Sequence, residues 1–396
     1  MVSSDPQLPL GRIILILIAV TVLVPTVVRG DTPDPRIVLG PWVRDLRVAP
    51  GMNAAGRNLR GTQFVGQDLR NAVFDGADLS GVLFWDCDLS EASFRGADLT
   101  RAVIRDCREL DGTDFTDALI RGMEVESAGR LSPEQLKSTR SYRTRNLAGC
   151  MIVGVDSHAG NKNAAFDFRN ADLRGATLIH GDFRECDFRG AVIDGITITA
   201  CKMRFEQLAS TNNFREKALR NIKISATFEG ALDFSNIDLT GTELSFDGSP
   251  PLYLDGATVT RCTFGAQLTR EALTATKNYR EGNLIGITFW HVDLTDWNLA
   301  GQNLTGCGFF GCNLTAVNLK DAVITDLFVQ DVPVTTTGLT LDQIKSTWNY
   351  KHGRMAGIRL PVELAKALAK EAEERNSRDA AGSEDGNAAE ATHGRE

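Results

Sequence analysis

The sequence is short of what most enzyme chemistry needs. Its five histidines are scattered at 158, 180, 291, 352 and 393, with no HExxH or comparable spacing to hold a metal. There is no CxxC pair, no P-loop and no GxSxG elbow, which removes the usual zinc, nucleotide and serine-hydrolase readings. Positive charge is also in deficit: 43 Lys plus Arg stand against 51 Asp plus Glu, a net charge of −8. The basic signature of a nucleic-acid binder is therefore missing, and no nucleic-acid partner is expected. Tyrosine is scarce, 4 residues against 19 Phe, so aromatic rings are expected inside and not on stacking platforms. No apolar run reaches the ~20 residues of a spanning helix.

The longest such run, Ile13 to Val28, follows Arg12 and ends in Val28-Arg29-Gly30. It reads as a secretory signal peptide over 1–30, with the body from Asp31 onward secreted or periplasmic. Arg29 is unfavourable at the cleavage position, and the alternative is an uncleaved N-terminal membrane anchor.

What the chain has in abundance is a period of five. Apolar residues recur at Leu59, Phe64, Leu69, Phe74, Leu79, Phe84, Leu89, Phe94, Leu99 and Ile104, return at Phe168, Leu173, Leu178, Phe183, Phe188, Ile193 and Ile198, and recur less regularly from Phe234 to Phe264. The cleanest run is Leu284, Phe289, Leu294, Leu299, Leu304, Phe309, Leu314, Leu319, Ile324, Val329 and Val334. Neither a helix nor a strand produces that stripe, so the chain must turn a corner once per repeat. A small residue sits two places before each centre (Ala77, Ala92, Ala97, Ala171, Ala322), and Asp or Asn often sits one place before it (Asp78, Asp98, Asn303).

Segments such as Ala77-Asp78-Leu79-Ser80-Gly81 and Ala171-Asp172-Leu173-Arg174-Gly175 resemble the A-(D/N)-L-x-x unit of the pentapeptide repeat family, over most of Asn58 to Val334. The resemblance implies an all-β solenoid, a right-handed quadrilateral parallel β-helix with four pentapeptides per coil, the central and small residues inward and the other three outward. Some cytoplasmic members of that family imitate DNA with an acidic face and bind DNA gyrase.

A longer repeat lies above the short one. Leu136, Leu208, Leu273 and Ile344 each precede a Thr and an aromatic: Thr139 and Tyr142, Thr211 and Phe214, Thr276 and Tyr279, Thr347 and Tyr350. Ser132-Pro133-Glu134 and Thr269-Arg270-Glu271 look like capped helix starts, so short α-helical insertions are expected near 131–146, 205–221 and 268–283. A fourth falls in 336–375, together with a C-terminal capping helix on Leu360, Leu364 and Leu368. The repeat body is expected over 58–335 and an N-terminal cap, with Trp42, over 31–57. The tail at 376–396, mostly Gly, Ala, Ser and charge, is expected to be disordered.

The eight cysteines share one phase. Cys87, Cys150, Cys186, Cys201, Cys262, Cys307 and Cys312 each lie two residues before an apolar centre, and Cys107 falls in the same place counted from Ile104. They read as buried structural thiols. The outward acids are interleaved with arginines, as in Asp167 and Arg169, Asp172 and Arg174, Asp182 and Arg184, Asp187 and Arg189. Such mixed charge suits a DNA mimic poorly, since a duplex carries one negative charge per about 1.7 Å. No catalytic, cofactor or metal residue is assigned. The expectation is a non-enzymatic extracytoplasmic scaffold or protein-binding module of a bacterium, whose partner is a protein or envelope component. The alternatives are a DNA-mimicking topoisomerase binder and, behind it, an envelope polysaccharide-active enzyme. Tyr142, Phe214, Tyr279 and Tyr350 are the candidate partner contacts; the plainer reading is that each ring pins its helix to the coil wall.

Overall fold

The computed structural model describes the backbone of residues 37–38 and residues 46–107, 110, 112–126, 131–154, 165–248, 250–330 and 338–374. The expected signal peptide at 1–30, Trp42 of the expected cap, Val334 and the tail at 376–396 lie outside them. Every central apolar residue of the period from Leu59 to Ile104 is buried, and so are the small partners Ala72, Ala77, Ala92, Ala97 and Ala102. Two residues after each centre the backbone is left-handed: φ is 67° at Gly61, 62° at Gly66, 58° at Asn71, 64° at Gly76 and 53° at Asp86. These are the corners. Glycine takes that conformation without strain and Asn or Asp tolerate it better than other residues, which explains why the chain carries 37 glycines.

Four corners close one coil, and the next coil pairs with it in parallel. Phe64 lies opposite Phe84, and Phe84 opposite Ile104, so that each step across the ladder is one coil of four pentapeptides. Rings stack down the interior at one strand spacing: Phe64 on Phe84 at 5.2 Å with planes 8° apart, Phe74 on Phe94 at 5.1 Å and 5°, Phe289 on Phe309 at 5.0 Å and 4°. The spacing is that of hydrogen-bonded strands, about 4.8 Å, so the stacking follows from the backbone ladder.

One wall joins Gln63–Val65, Leu83–Trp85, Val103–Arg105 and Glu124–Glu126, and the two-residue strand Ile37–Val38 covers its first edge, antiparallel, with Ile37 opposite Phe64. That contact blunts an otherwise open strand edge. A second wall runs through nine parallel strands from Met151–Val153 to Phe328–Gln330. Among the first coils the register slips once: Val103 pairs with Glu124, where the strict repeat would have brought Met123.

The insertions are pairs of short helices: α1 (Pro133–Ser138) and α2 (Arg140–Arg143), α3 (Phe205–Ala209) and α4 (Asn212–Arg215), α5 (Arg270–Thr274) and α6 (Lys277–Arg280), α7 (Leu341–Lys345) and α8 (Trp348–Lys351). Within each pair an extended Thr breaks the helix and caps the next one. Thr139, Thr211, Thr276 and Thr347 accept the amide N–H of Tyr142, Phe214, Tyr279 and Tyr350 in turn. Residues 362–374 are helical, and Leu360, Leu364 and Leu368 lie against the core, covering the far end. Among the described residues no helix is long and apolar enough to cross a membrane.

Candidate functional site

At each insertion the helix pair carries hydrogen bonds from coil to coil in place of a strand, although the strand ladder itself divides between Glu126 and Met151. The carbonyl at the end of the first helix, or of the residue after it (Ser138, Ser210, Ala275, Ser346), accepts the N–H of Asp117, Gly190, Gly256 and Asp321 at 3.1, 3.0, 2.9 and 2.9 Å. The first N–H of the second helix then donates to the carbonyl of Ala118, Ala191, Ala257 and Ala322. Finally a buried side chain takes the next amide of the underlying coil: Asn213 Oδ1 accepts Ile193 N–H, Asn278 Oδ1 accepts Val259 N–H and Asn349 Oδ1 accepts Ile324 N–H, each at 2.7 Å, while Ser141 Oγ accepts Ile120 N–H at 2.9 Å. An amide buried without a partner is costly, and the Asn removes that cost.

These Asn and Ser residues escaped the sequence reading, although they sit between the recurring Thr and the recurring aromatic in all four insertions. A Gln recurs in three of the four insertions as well. Gln135, Gln207 and Gln343 turn their carboxamide N–H groups onto pairs of corner carbonyls, Leu110 and Thr113, Phe183 and Cys186, Leu314 and Val317.

Of the four candidate contact rings, three are tied to the solenoid. Tyr142 is buried and its hydroxyl accepts the N–H of Asp167 at 2.7 Å. Tyr279 is half-buried and donates its hydroxyl to the carbonyl of Asn298 at 2.6 Å. Phe214 packs against Phe205 and Phe234, at 5.6 and 6.4 Å between centroids. Tyr350 is half-buried, and its hydroxyl makes no hydrogen bond among the described residues. The four rings lie on separate insertions.

All eight cysteines are free and buried. Six of them point the thiol at the carbonyl oxygen 23 residues back, as Cys87 does to Phe64, Cys262 to Leu239 and Cys307 to Leu284. Burial pushes the Cys150, Cys262 and Cys307 thiols up to about 12. Among the described residues, no group of three His, Cys, Asp or Glu is placed to hold a metal ion.

The outward face is largely self-neutralised. Arg169, Arg174, Arg184 and Arg189 each fork onto the Asp two residues earlier, with closest approaches of 2.8, 2.6, 2.6 and 2.6 Å. The arginine beside each of Asp172, Asp182 and Asp187 holds its carboxyl below the usual range. One corner differs. Where Gly61, Gly81, Arg101, Gly122 and Gly149 donate in succession to the carbonyls of Ser80, Thr100, Arg121, Ala148 and Arg174, a groove of about 550 Å³ runs across successive coils. Its rim carries Arg60, Arg101, Arg121 and Arg174. Arg174 is paired with Asp172, but the guanidinium groups of Arg60, Arg101 and Arg121 form no ion pair among the described residues. The carboxylates on the adjoining face are occupied: Asp78 holds the N–H and hydroxyl of Ser80, and Asp98 the N–H of Thr100.

A family model described as pentapeptide repeats matches in eight copies, over residues 53–86, 84–122, 167–204 and 283–321. Solved structures similar to the chain include HetL from the cyanobacterium Nostoc, a pentapeptide repeat protein involved in heterocyst differentiation regulation. HetL shares 19% identity over 70% of this chain and 90% of its own, at a TM-score of 0.20. QnrB1, a plasmid-mediated fluoroquinolone resistance protein, shares 19% over 50% of this chain and 78% of its own, at 0.19. No curated protein matches.

Proposed function

The chain is a pentapeptide repeat protein, and from that premise we propose that it is a non-enzymatic scaffold acting outside the cytoplasm, holding a protein partner by an acidic segment along the arginine-rimmed corner. The observation that carries this reading is the contrast between that corner and its surroundings. On the neighbouring repeats Arg70, Arg95, Arg169, Arg184 and Arg189 are spent on Asp residues, whereas Arg60, Arg101 and Arg121 present open forks over a glycine-lined groove. A guanidinium fork matches a carboxylate in both geometry and charge. The groove floor is backbone with few side chains, so an extended segment can approach it closely. Ile13 to Val28 supports the location.

The mimicry reading is weakened by the same pairing. A DNA mimic needs uncompensated acid along a face, and here Asp68, Asp167, Asp172, Asp182 and Asp187 each carry an Arg two residues on.

Cross-linking capture from the native envelope tests the role. A partner held by this corner is recovered at low salt, lost with rising salt and lost from the triple variant Arg60→Glu, Arg101→Glu, Arg121→Glu. Recovery unchanged by the triple variant rejects the corner. N-terminal sequencing of native material should begin near Asp31; an intact Met1 on a soluble cytoplasmic protein rejects the location.

A further inference from the structure

On the wall of nine parallel strands, Trp290 is 44% exposed. One face of its indole is covered by Phe310, stacked at 4.5 Å with planes 10° apart, and Phe328 continues the row edge-on at 5.1 Å. The other face looks back to the preceding coil. There Phe264 pairs with Phe289, so Gly265 is the residue opposite Trp290, and it offers no side chain. The carboxamide oxygen of Gln267 takes the place that a Cβ on Gly265 would need and so forms part of the floor there, its nitrogen donating to the Leu244 carbonyl at 2.9 Å. The next side chain along the row itself belongs to Ser245, two strand spacings or about 9–10 Å from Trp290.

A slot of about 360 Å³ results, closed at one end by the indole face and lined by Thr197, Thr199, Ser225, Ser245 and Thr263. Lys223 and Glu243 also line it and are paired with each other at 2.8 Å. The side-chain hydroxyls of these five Thr and Ser residues make no hydrogen bond to protein among the described residues, and the paired Lys and Glu leave no net charge to answer.

We propose that this slot binds a neutral pyranose unit of a glycan. A pyranose ring has a face of C–H groups and a rim of hydroxyls. The C–H face suits the open indole, where contact at about 3.5–4 Å on each side fits the gap between Trp290 and Ser245. The rim suits a lining of Thr and Ser hydroxyls with a Lys ammonium and a Glu carboxylate that can each serve one more partner. A partner protein's aromatic ring would gain the same stacking, but it would cover those hydroxyls without satisfying them, which is costly. The site is at a different place on the solenoid from the arginine corner and does not depend on it.

The test uses the full chain with 15N-labelled indoles and three probes at millimolar concentration: hexaoses of β-1,4-linked glucose, β-1,4-linked N-acetylglucosamine and α-1,4-linked glucose. A Trp-rich peptide of neutral charge is the fourth. At least one hexaose should shift the Trp290 indole resonance. Its binding, followed by equilibrium dialysis, should weaken tenfold or more in Trp290→Ala and in Ser245→Leu, which fills the middle of the slot, two strands from the indole, and leaves the indole in place. Because Ser245 points outward, Ser245→Leu should keep the wild-type melting temperature. The proposal is overturned if no hexaose binds, if binding survives both substitutions, or if the peptide alone binds.

Discussion

The carboxamide oxygen of Asn278 stands 2.7 Å from the amide nitrogen of Val259, where a strand carbonyl of the next coil would otherwise be. Its nitrogen donates to Thr260 Oγ1 at 2.9 Å and to the carbonyl of Asn283 at 3.1 Å, so one buried side chain joins the coil, the helix α6 and the chain that leaves it. Asn213 and Asn349 repeat the first of these contacts in their own insertions.

Asn278→Ala should therefore destabilise the protein by about 1–3 kcal/mol, the usual cost of a buried donor left unmade. Hydrogen exchange gives the specific readout: the Val259 amide should lose protection more than amides two coils away. Equal loss throughout the solenoid would mean that the Asn acts in some other way.

Tyr279→Ser separates pinning from partner contact. If the ring pins its helix, the substitution removes packing on the core and a hydroxyl bond to Asn298, so the melting temperature falls and 277–283 loosens locally. A contact role instead leaves stability unchanged and weakens capture of the partner.

Cutting one central residue should be expensive. Leu299, fully buried in the interior column, replaced by Ala should cost about 2–5 kcal/mol, measured by denaturant unfolding. A cost under about 1 kcal/mol would show that the neighbouring coils collapse around the gap.

The thiols should be silent in the native state. With Cys150, Cys262 and Cys307 pushed up to about 12 by burial, almost no thiolate exists at neutral pH. Labelling with a thiol reagent should follow the unfolding rate, and rapid reaction of several thiols in folded protein would contradict the burial.

Acid should act through the Asp–Arg pairs. The carboxyls of Asp167, Asp172 and Asp187 are held below their ordinary value of 3.8, chiefly by hydrogen bonds from Arg169, Arg174 and Arg189. A depressed carboxylate contributes stability that is present above the unfolded pKa and lost as pH falls through the folded one. Carboxyl titration by NMR should give midpoints below the ordinary value for these residues, and Arg174→Gln should move the Asp172 midpoint upward.

The period of five determined the coil. A buried apolar residue every fifth position, with a residue able to turn left-handed two places later, leaves a chain no arrangement except a corner per repeat. For that reason the interior, from Leu59 to Val329, and the inward phase of all eight cysteines could be read directly. The same local rules placed the helix starts at Ser132 and Thr269, since a cap acts within the first turn of its own helix. Stacking was beyond such rules. Whether the coils continue through an insertion depends on which group meets an amide a whole coil away in sequence, and only the folded chain shows Asn213, Asn278 and Asn349 filling that place. The open forks of Arg60, Arg101 and Arg121 and the bare indole face of Trp290 are likewise tertiary facts. Each arises from what is missing beside it, an acid in one case and a side chain at Gly265 in the other, and neighbours one coil apart are strangers in the sequence.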